Sequence, residues 1–126
     1  MKEERGNMKE GKPEDLKIRT RKFALRVISL YGAMPKRTES QVIGKQMLRS
    51  GTSVGAHYRE ALRARSTAEY ISKLEGGMQE LEETMYWFEL IVDSGIFSES
   101  RISDLAKEAD ELMAILTTIV KRQKGQ

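Results

Sequence analysis

The chain has 126 residues, of which 39% are hydrophobic, enough for one modest core but not for two. Its 33% of charged residues and 6% of aromatic residues are typical of a charge-rich helical protein. The lack of cysteine and the single histidine exclude disulfides, thiolate metal sites and the imidazole sets of most catalytic zinc sites. No stretch of about 18 apolar residues and no secretory signal is present, so we expect a cytoplasmic protein with no membrane contact.

Positive charge is concentrated in the first half of the chain. Sixteen lysines and arginines against seven acidic residues give residues 1–65 a net charge of +9, whereas six against twelve give residues 66–126 a net charge of −6. Either the basic half binds a polyanion, or the two halves neutralise each other within one subunit or between subunits. Charge alone favours the second interpretation, because basic faces of helical proteins are commonly solvated or paired.

A first helix is predicted by its ends and its apolar stripe. Residues 1–13 have no apolar period, which indicates a mobile N-terminal tail. Glu14 and Asp15 suit a helix N-terminus, and Gly32 suits a helix end. A three-and-four spacing places six side chains on one face: Phe23, Ala24, Val27, Ile28, Leu30 and Tyr31.

The second helix is long and rich in small residues. Thr38 and Gln41 form a possible capping box, and the helix extends to about Arg65. Its apolar stripe contains Ile43, Met47, Val54, Tyr58 and Ala61. Small residues lie on or beside the stripe: Gly44, Ser50, Gly51, Gly55 and Ala56. Each glycine costs up to about 1 kcal/mol of helix stability, so we expect another helix to approach closely in compensation. The alternative is a break near residues 50–51.

The third helix begins at an S-x-x-E capping box formed by Ser66 and Glu69. It is predicted to run from Thr67 to residues 94–95. Steps of four and three residues give a heptad seam: Leu74, Met78, Leu81, Met85, Phe88 and Val92. A glycine pair at 76–77 interrupts the helix and indicates a kink or a tight contact, of which the tight contact is favoured.

The fourth helix is capped by Ser98 or Ser100 and extends to about Lys121. Its seam contains Ile102, Leu105, Ala109, Leu112, Leu116 and Ile119. A second row, Ala106, Met113 and Val120, widens the stripe enough to serve a subunit interface. Residues 14–122 are therefore predicted to form an all-α, antiparallel up-and-down four-helix bundle, followed by a C-terminal tail at 123–126.

A basic ridge runs along the second helix, opposite its apolar stripe. Its members, Lys45, Arg49, Arg59 and Arg63, fall within an arc of roughly 80° at about 100° per residue. Such a ridge can neutralise phosphates and bind RNA or DNA without sequence specificity. Further candidate contacts are Lys22, Arg26 and Arg65. The competing interpretation pairs the ridge with an acidic surface of the third helix, where Glu80 and Glu83 lie on the same side as Trp87. Each interpretation can hold for different members of the ridge.

Other constellations give no support for catalysis. Glu75, Glu82 and Glu89 recur every seven residues, a spacing that could suggest metal-binding carboxylates inside a bundle. Di-iron bundles, however, use Glu-x-x-His units, and here the order is reversed as His57-x-x-Glu60. Glutamates at heptad spacing more often form a solvated or salt-bridged edge. We interpret His57 as a partly buried hydrogen-bonding group that ties two helices, with a proton-transfer role as the less favoured alternative. No catalytic triad or phosphate-binding loop is present, so we expect no enzyme, no cofactor and no metal.

Two motifs together resemble a known family. The stretch RSGTSVGAHYREA at residues 49–61 is followed by Arg65-Ser66 and by ELEETMYW at residues 80–87. Their order and separation resemble a bacterial four-helix-bundle family named for proteins encoded in intervening sequences of large-subunit ribosomal RNA genes. The resemblance covers residues 17–122. Members usually carry asparagine where this chain has His57, so hydrogen bonding is retained but a role of the carboxamide is not.

The resemblance implies an up-and-down bundle, often assembled as a ring-shaped pentamer. It also implies kinship with the accessory protein of diversity-generating retroelements, a basic ring that binds reverse transcriptase and nucleic acid. Helix or subunit contacts, rather than catalysis, are implied for the motif residues Arg49, Ser53, His57, Glu60, Arg65, Glu80 and Glu83. Trp87 is assigned the same role, because base-stacking platforms also need exposed basic neighbours.

The predicted function is that of a non-enzymatic homo-oligomer, a pentamer, that binds RNA or DNA as a scaffold or accessory factor. The alternative is a structural assembly module that recruits a protein partner without binding nucleic acid.

Overall fold

The computed structural model describes residues 13–126, which form four helices and no strand. The helices are α1 (Pro13–Gly32), α2 (Thr38–Leu62), α3 (Thr67–Asp93) and α4 (Glu99–Gln123). The tail predicted at 1–13 lies outside the described residues except for Pro13, which starts α1, where the fixed φ of proline suits a helix. None of these four helices has the length and the apolar character that crossing a bilayer requires.

Packing follows the order of the helices along the chain. α2 lies between α1 and α3, α3 packs on α4, and α4 closes the bundle against α1. The connections have only five, four and five residues, so consecutive helices run antiparallel. All four helices contribute fully buried side chains: Leu16, Phe23, Met47, Leu74, Leu81, Ile91, Leu112 and Leu116. The predicted up-and-down four-helix bundle is confirmed.

Serine caps start α3 and α4, as predicted. Ser66 Oγ accepts a hydrogen bond from the Glu69 N–H at 3.0 Å, and the Glu69 carboxylate accepts one from the Arg65 N–H at 3.0 Å. At α4 the cap is Ser98, whose Oγ accepts a hydrogen bond from the Arg101 N–H at 3.3 Å. Each cap satisfies a backbone donor that the helix itself leaves free.

The capping box predicted for the start of α2 is wrong. Arg37 occupies the N-cap position and makes no side-chain capping bond. Gln41 instead donates from Nε2 to the Pro35 carbonyl at 2.7 Å and accepts from the Tyr31 hydroxyl at 3.0 Å. Pro35 lies in the α1–α2 connection and Tyr31 in the last turn of α1, and together they draw the glutamine side chain away from the start of α2 at Thr38.

Glycines bring α1 close to α2. A Cβ on Gly51 would lie 2.9 Å from both methyl carbons of Val27, and one on Gly55 would lie 3.0 Å from Thr20 Oγ1. α2 is continuous through residues 50–51, so the alternative of a break there is wrong. The predicted close approach of a neighbouring helix is confirmed.

The buried seam of α3 is offset from the predicted heptad. It consists of Leu74, Gly77, Leu81, Thr84, Phe88 and Ile91. Three predicted members, Met78, Met85 and Val92, are only partly buried. Gly77 and Thr84 face the core in their place because small side chains allow α3 to approach α2 more closely than methionines would.

The outer surfaces of α1 and α4 differ from the prediction in detail. Ile28, expected in the α1 stripe, is 47% exposed, because the core face of that helix is already filled by neighbours that include Phe23 and Val27. α4 buries Ile115 in addition to its predicted seam, whereas Ile119 is only partly buried. In the predicted C-terminal tail, Lys124 caps α4 and pairs with Glu75 of α3 at 2.8 Å.

Candidate nucleic-acid interface

The outward face of α2 presents the basic ridge. α1 and α3 cover the other faces of this helix, so the ridge is left to solvent. All four of its side chains are exposed: Lys45, Arg49, Arg59 and Arg63. The helix ends at Leu62, before the predicted Arg65, and Arg63 is its C-cap residue. At 1.5 Å per residue the ridge is about 27 Å long.

Arg49 is neutralised within the chain. Its Nη2 lies 2.6 Å from Glu83 Oε1 and its Nη1 lies 3.3 Å from Glu80 Oε1, so one guanidinium joins two carboxylates of α3. The hydrogen bond to Glu83, and to a smaller extent the charge of both carboxylates, raises the pKa of Arg49 above its ordinary value. For this member of the ridge the structure shows the pairing of α2 with the acidic surface of α3.

Within the described part of the chain, the other three ridge cations form no ion pair. Among residues 13–126, Lys45, Arg59 and Arg63 have no acidic side chain within salt-bridge distance. Glu60, which shares this end of the helix with Arg59 and Arg63, is held by Lys73 of α3 at 3.1 Å. Both arginines also lie at the C-terminus of α2, where positive charge is favourable to the helix dipole. The ridge therefore keeps three cations that are available to phosphate groups.

The remaining predicted cations lie on two other surfaces. Arg65 is exposed in the turn between α2 and α3, next to the end of the ridge, and its backbone N–H is used by Glu69. Lys22 and Arg26 are exposed on α1, a different helix face. The structure therefore brings Arg65 near the ridge and leaves the α1 pair apart from it.

His57 lies at the contact between α2 and α3. Its Nε2 is 3.7 Å from Glu80 Oε2, an ion-pair separation that is too long for a hydrogen bond. Its Nδ1 is buried and has no hydrogen-bond partner in the part of the chain that the structure describes. A Cβ on Gly76 would lie 2.8 Å from this atom, so the glycine provides the space for the imidazole. The role of Gly76 is therefore to allow a tight contact, the interpretation that the sequence favoured for the glycine pair.

Ser53 and Trp87, both predicted to make helix or subunit contacts, have different surroundings. Ser53 Oγ donates to the Arg49 carbonyl of its own helix at 2.7 Å, which does not tie α2 to a neighbour. Trp87 is partly buried against the core, and its indole nitrogen is buried without a partner among residues 13–126. The ring of Tyr86 stands 5.1 Å from the Trp87 ring and is 52% exposed.

The sequence did not indicate several polar contacts between helices, one of which is a buried pair of hydroxyls. Ser50 Oγ and Thr84 Oγ1 are 2.7 Å apart in the buried α2–α3 interface. Both residues lie within the family motifs, which is the only signal that could have indicated the pair.

Another of these contacts joins α1 to α4. Arg19 donates from Nε and Nη2 to Glu108 at 3.0 and 2.7 Å, and from Nη2 to Glu111 at 2.9 Å. The hydrogen bonds to Glu108 are the main cause that raises the pKa of Arg19. The partners are 89 and 92 residues away in sequence, so no local pattern predicts them.

No metal site is formed by the described residues, 13–126: no three or more histidines and acidic residues are placed to hold an ion. The heptad glutamates of α3 illustrate why. Glu75 pairs with Lys124, and Glu82 and Glu89 are exposed on the helix edge.

The fold and this surface define an up-and-down helical bundle with a partly free basic ridge. The model of the family described as 23S rRNA-intervening sequence protein matches residues 14–118. The chain belongs to this family, which confirms the resemblance of its motifs. No curated protein matches the chain.

A solved structure supports the same family. The chain is 34% identical to a protein with unknown function from the S23 ribosomal protein family of Bacteroides thetaiotaomicron, whose crystal structure was determined at 1.70 Å resolution. The alignment covers 86% of this chain and 97% of that chain, with a TM-score of 0.82. Neither the family nor this relative is described as an enzyme.

Proposed function

We propose that the protein is a non-enzymatic, cytoplasmic homo-oligomer that binds RNA or DNA as a scaffold or accessory factor. The observation that carries this proposal is the row of three cations, Lys45, Arg59 and Arg63, exposed on one face of α2 without ion pairs among residues 13–126. Unpaired cations on one rigid helix suit the phosphate backbone, which any nucleic-acid sequence offers.

The proposed binding is electrostatic and independent of sequence. Each phosphate that a cation neutralises releases a counterion, so affinity falls with salt by a slope of about 0.9 per contact on duplex DNA. Three free cations, with Arg65 close by, give an expected slope of about three to four for one chain. A homo-oligomer repeats the ridge on every subunit and raises the affinity for a long nucleic acid through multivalency.

A pentamer is the proposed assembly. The support is the family resemblance together with apolar surface that one bundle leaves uncovered, including Leu25 and Ile28 of α1. The mass in solution is then five times the 14.4 kDa of one chain. Sedimentation equilibrium at micromolar concentration tests this part, and a monomeric mass would remove it.

The binding part is tested by salt titration with generic RNA and duplex DNA. Arg59→Gln plus Arg63→Gln removes two free ridge cations, so the slope of log affinity against log salt should fall by about two. The matched control, Lys36→Gln plus Lys121→Gln, removes the same charge from exposed lysines outside the ridge and should leave the slope unchanged. Circular dichroism of both variants shows whether the bundle remains folded.

The second candidate, from a different class, is an assembly module that recruits a protein partner. The exposed Tyr86 beside the half-buried Trp87 favours it, because aromatic residues are enriched at protein interfaces. If neither nucleic acid binds with measurable salt dependence near physiological ionic strength, the first function is wrong and this candidate replaces it.

A further inference from the structure

The outer face of α1 carries a row of large apolar side chains. Ile18, Leu25 and Ile28 are 44%, 50% and 47% exposed. Ile18 and Leu25 are seven residues apart, almost two full turns, so they share one side of the helix. That side is roughly opposite Phe23 and Val27, which are fully buried in the core. Three such residues within about 15 Å of one helix form an apolar strip rather than scattered exposure.

All charged residues in the segment that carries this strip are cations. Between Leu16 and Gly32 the chain has five lysines and arginines and no acidic residue. Arg21, Lys22 and Arg26 are exposed and form no ion pair with other residues of 13–126. The strip and these three cations are called the α1 face below.

A groove of about 420 Å³ with the opposite charge lies between α3 and α4. Its apolar lining includes Met85, Phe88 and Val92 from α3 and Ile102 and Ala106 from α4. Ala106 belongs to the second apolar row that the sequence assigns to a subunit interface. Two of its α3 residues, Met85 and Val92, belong to the predicted heptad seam and are only partly buried against the core.

Carboxylates surround the groove. Four acidic residues line it, Glu89, Asp93, Glu99 and Asp110, against one lysine, Lys107. Within residues 13–126 none of the four carboxylates is engaged in an ion pair. The groove thus combines an apolar floor with a net charge of −3, the complement of the three free cations on the α1 face.

We infer that the α1 face of one copy of this chain docks in the α3–α4 groove of a second copy. The two surfaces cannot meet within one chain, because the α1 face points out of the bundle and α1 does not pack on α3. A second copy supplies both halves at once, so a single kind of contact covers the two surfaces. This inference rests on the assembly part of the proposed function and specifies its interface.

Because the two patches are different, the contact is heterologous, head to tail. Repetition of such a contact closes into a ring when the rotation between neighbours divides a full turn. Every subunit then uses its α1 face once and its groove once, and no apolar strip is left exposed. Lys22, a candidate nucleic-acid contact, would face a carboxylate of the next subunit instead.

Charge reversal on each side tests the inference by sedimentation equilibrium. Arg21→Glu plus Lys22→Glu and, separately, Glu89→Lys plus Asp110→Lys should each weaken subunit association at least about tenfold. All four positions are exposed, so the bundle should remain folded, which circular dichroism checks. A single chain carrying all four substitutions restores opposite charges across the contact and should recover most of the association.

The control is Lys45→Glu plus Arg63→Glu, which changes the net charge as much as the α1 variant but lies on the ridge. It should keep the wild-type mass and lose salt-dependent affinity for nucleic acid. The inference is overturned if both reversed variants keep the wild-type mass, or if the four-substitution chain stays dissociated. A wild-type monomer would overturn both this inference and the proposed assembly, whereas an assembly that ignores nucleic acid would overturn only the proposed binding.

Discussion

Ser50 Oγ lies 2.7 Å from Thr84 Oγ1 in the buried contact between α2 and α3. Each hydroxyl also has a carbonyl of its own helix within donating distance, Glu80 at 2.7 Å for Thr84 Oγ1 and Met47 at 3.3 Å for Ser50 Oγ, so either hydroxyl can donate the interhelical bond. Both side chains are fully buried and small, which allows a polar link at close helix spacing. The pair therefore fixes the register of α2 against α3.

Breaking this bond should be measurable as coupling. We expect Ser50→Ala and Thr84→Val each to lower the free energy of unfolding by about 1 kcal/mol, because each leaves the other hydroxyl without its interhelical partner. The double variant should lose less than the sum of the two, with a coupling of about 1 kcal/mol. Urea denaturation, followed by circular dichroism at one protein concentration, measures this double-mutant cycle. Additive effects of the two substitutions would contradict the predicted coupling.

Gly51 controls how closely α1 and α2 pack. A Cβ there would meet three carbons of Val27, which is fully buried and has a β-branched side chain that prefers one rotamer in a helix. Gly51→Ala should therefore lower the free energy of unfolding by about 1 to 3 kcal/mol, although alanine favours the helix by about 1 kcal/mol. Gly32→Ala is the control: nothing lies within 4 Å of its Cβ, so the change should be neutral or slightly stabilising. Equal stability of the two variants would show that Val27 yields.

The helices themselves could be predicted because their signals are local. Caps at Ser66 and Ser98 and an apolar period within each helix do not depend on the rest of the fold. The seam of α3 could not be predicted in full. Met85 fits the heptad pattern of the sequence, but the folded helix buries Thr84 instead. Which of the two residues is buried depends on the distance between α3 and α2, and a local sequence pattern does not contain that distance.

The candidate site, like the fold, could be predicted only in part. The ridge follows from a rotation of about 100° per residue, so sequence alone places Lys45 and Arg63 on one line. The pattern on α3 also indicates an acidic surface as a competing partner of the ridge, but it does not indicate which ridge residue that surface neutralises. That depends on the antiparallel register that brings Glu80 and Glu83 opposite Arg49.

His57 and Gly76 form a second coupled pair. A Cβ on Gly76 would overlap the imidazole, so Gly76→Ala should lower the free energy of unfolding by about 1 kcal/mol in the wild-type chain. In a His57→Ala background the obstacle is gone, and the same substitution should stabilise the protein by up to about 1 kcal/mol through helix propensity. A double-mutant cycle by urea denaturation measures this reversal. A destabilising Gly76→Ala in both backgrounds would mean that the glycine serves another contact.

Arg19 forms an ionic contact between α1 and α4. Its guanidinium bonds Glu108 through two nitrogens, and the side chain is about one-third exposed, so solvent weakens the pair. We expect Arg19→Gln to cost about 1 kcal/mol of unfolding free energy. Arg19→Lys should recover little of it, because an ammonium cannot reproduce the two parallel bonds. Thermal unfolding at fixed protein concentration compares the variants, and full rescue by lysine would show that charge alone matters.

Glu80 and Glu83 determine how many cations the ridge offers. Glu80→Gln plus Glu83→Gln removes the charges that neutralise Arg49, so the guanidinium joins Lys45, Arg59 and Arg63 on the outward face. The salt slope of nucleic-acid binding should rise by about one, with higher affinity at low salt. Glu82→Gln plus Asp104→Asn changes the net charge equally at exposed positions away from Arg49 and should raise affinity without changing the slope. Identical slopes for the two double variants would show that Arg49 makes no phosphate contact even when its carboxylate partners are neutralised.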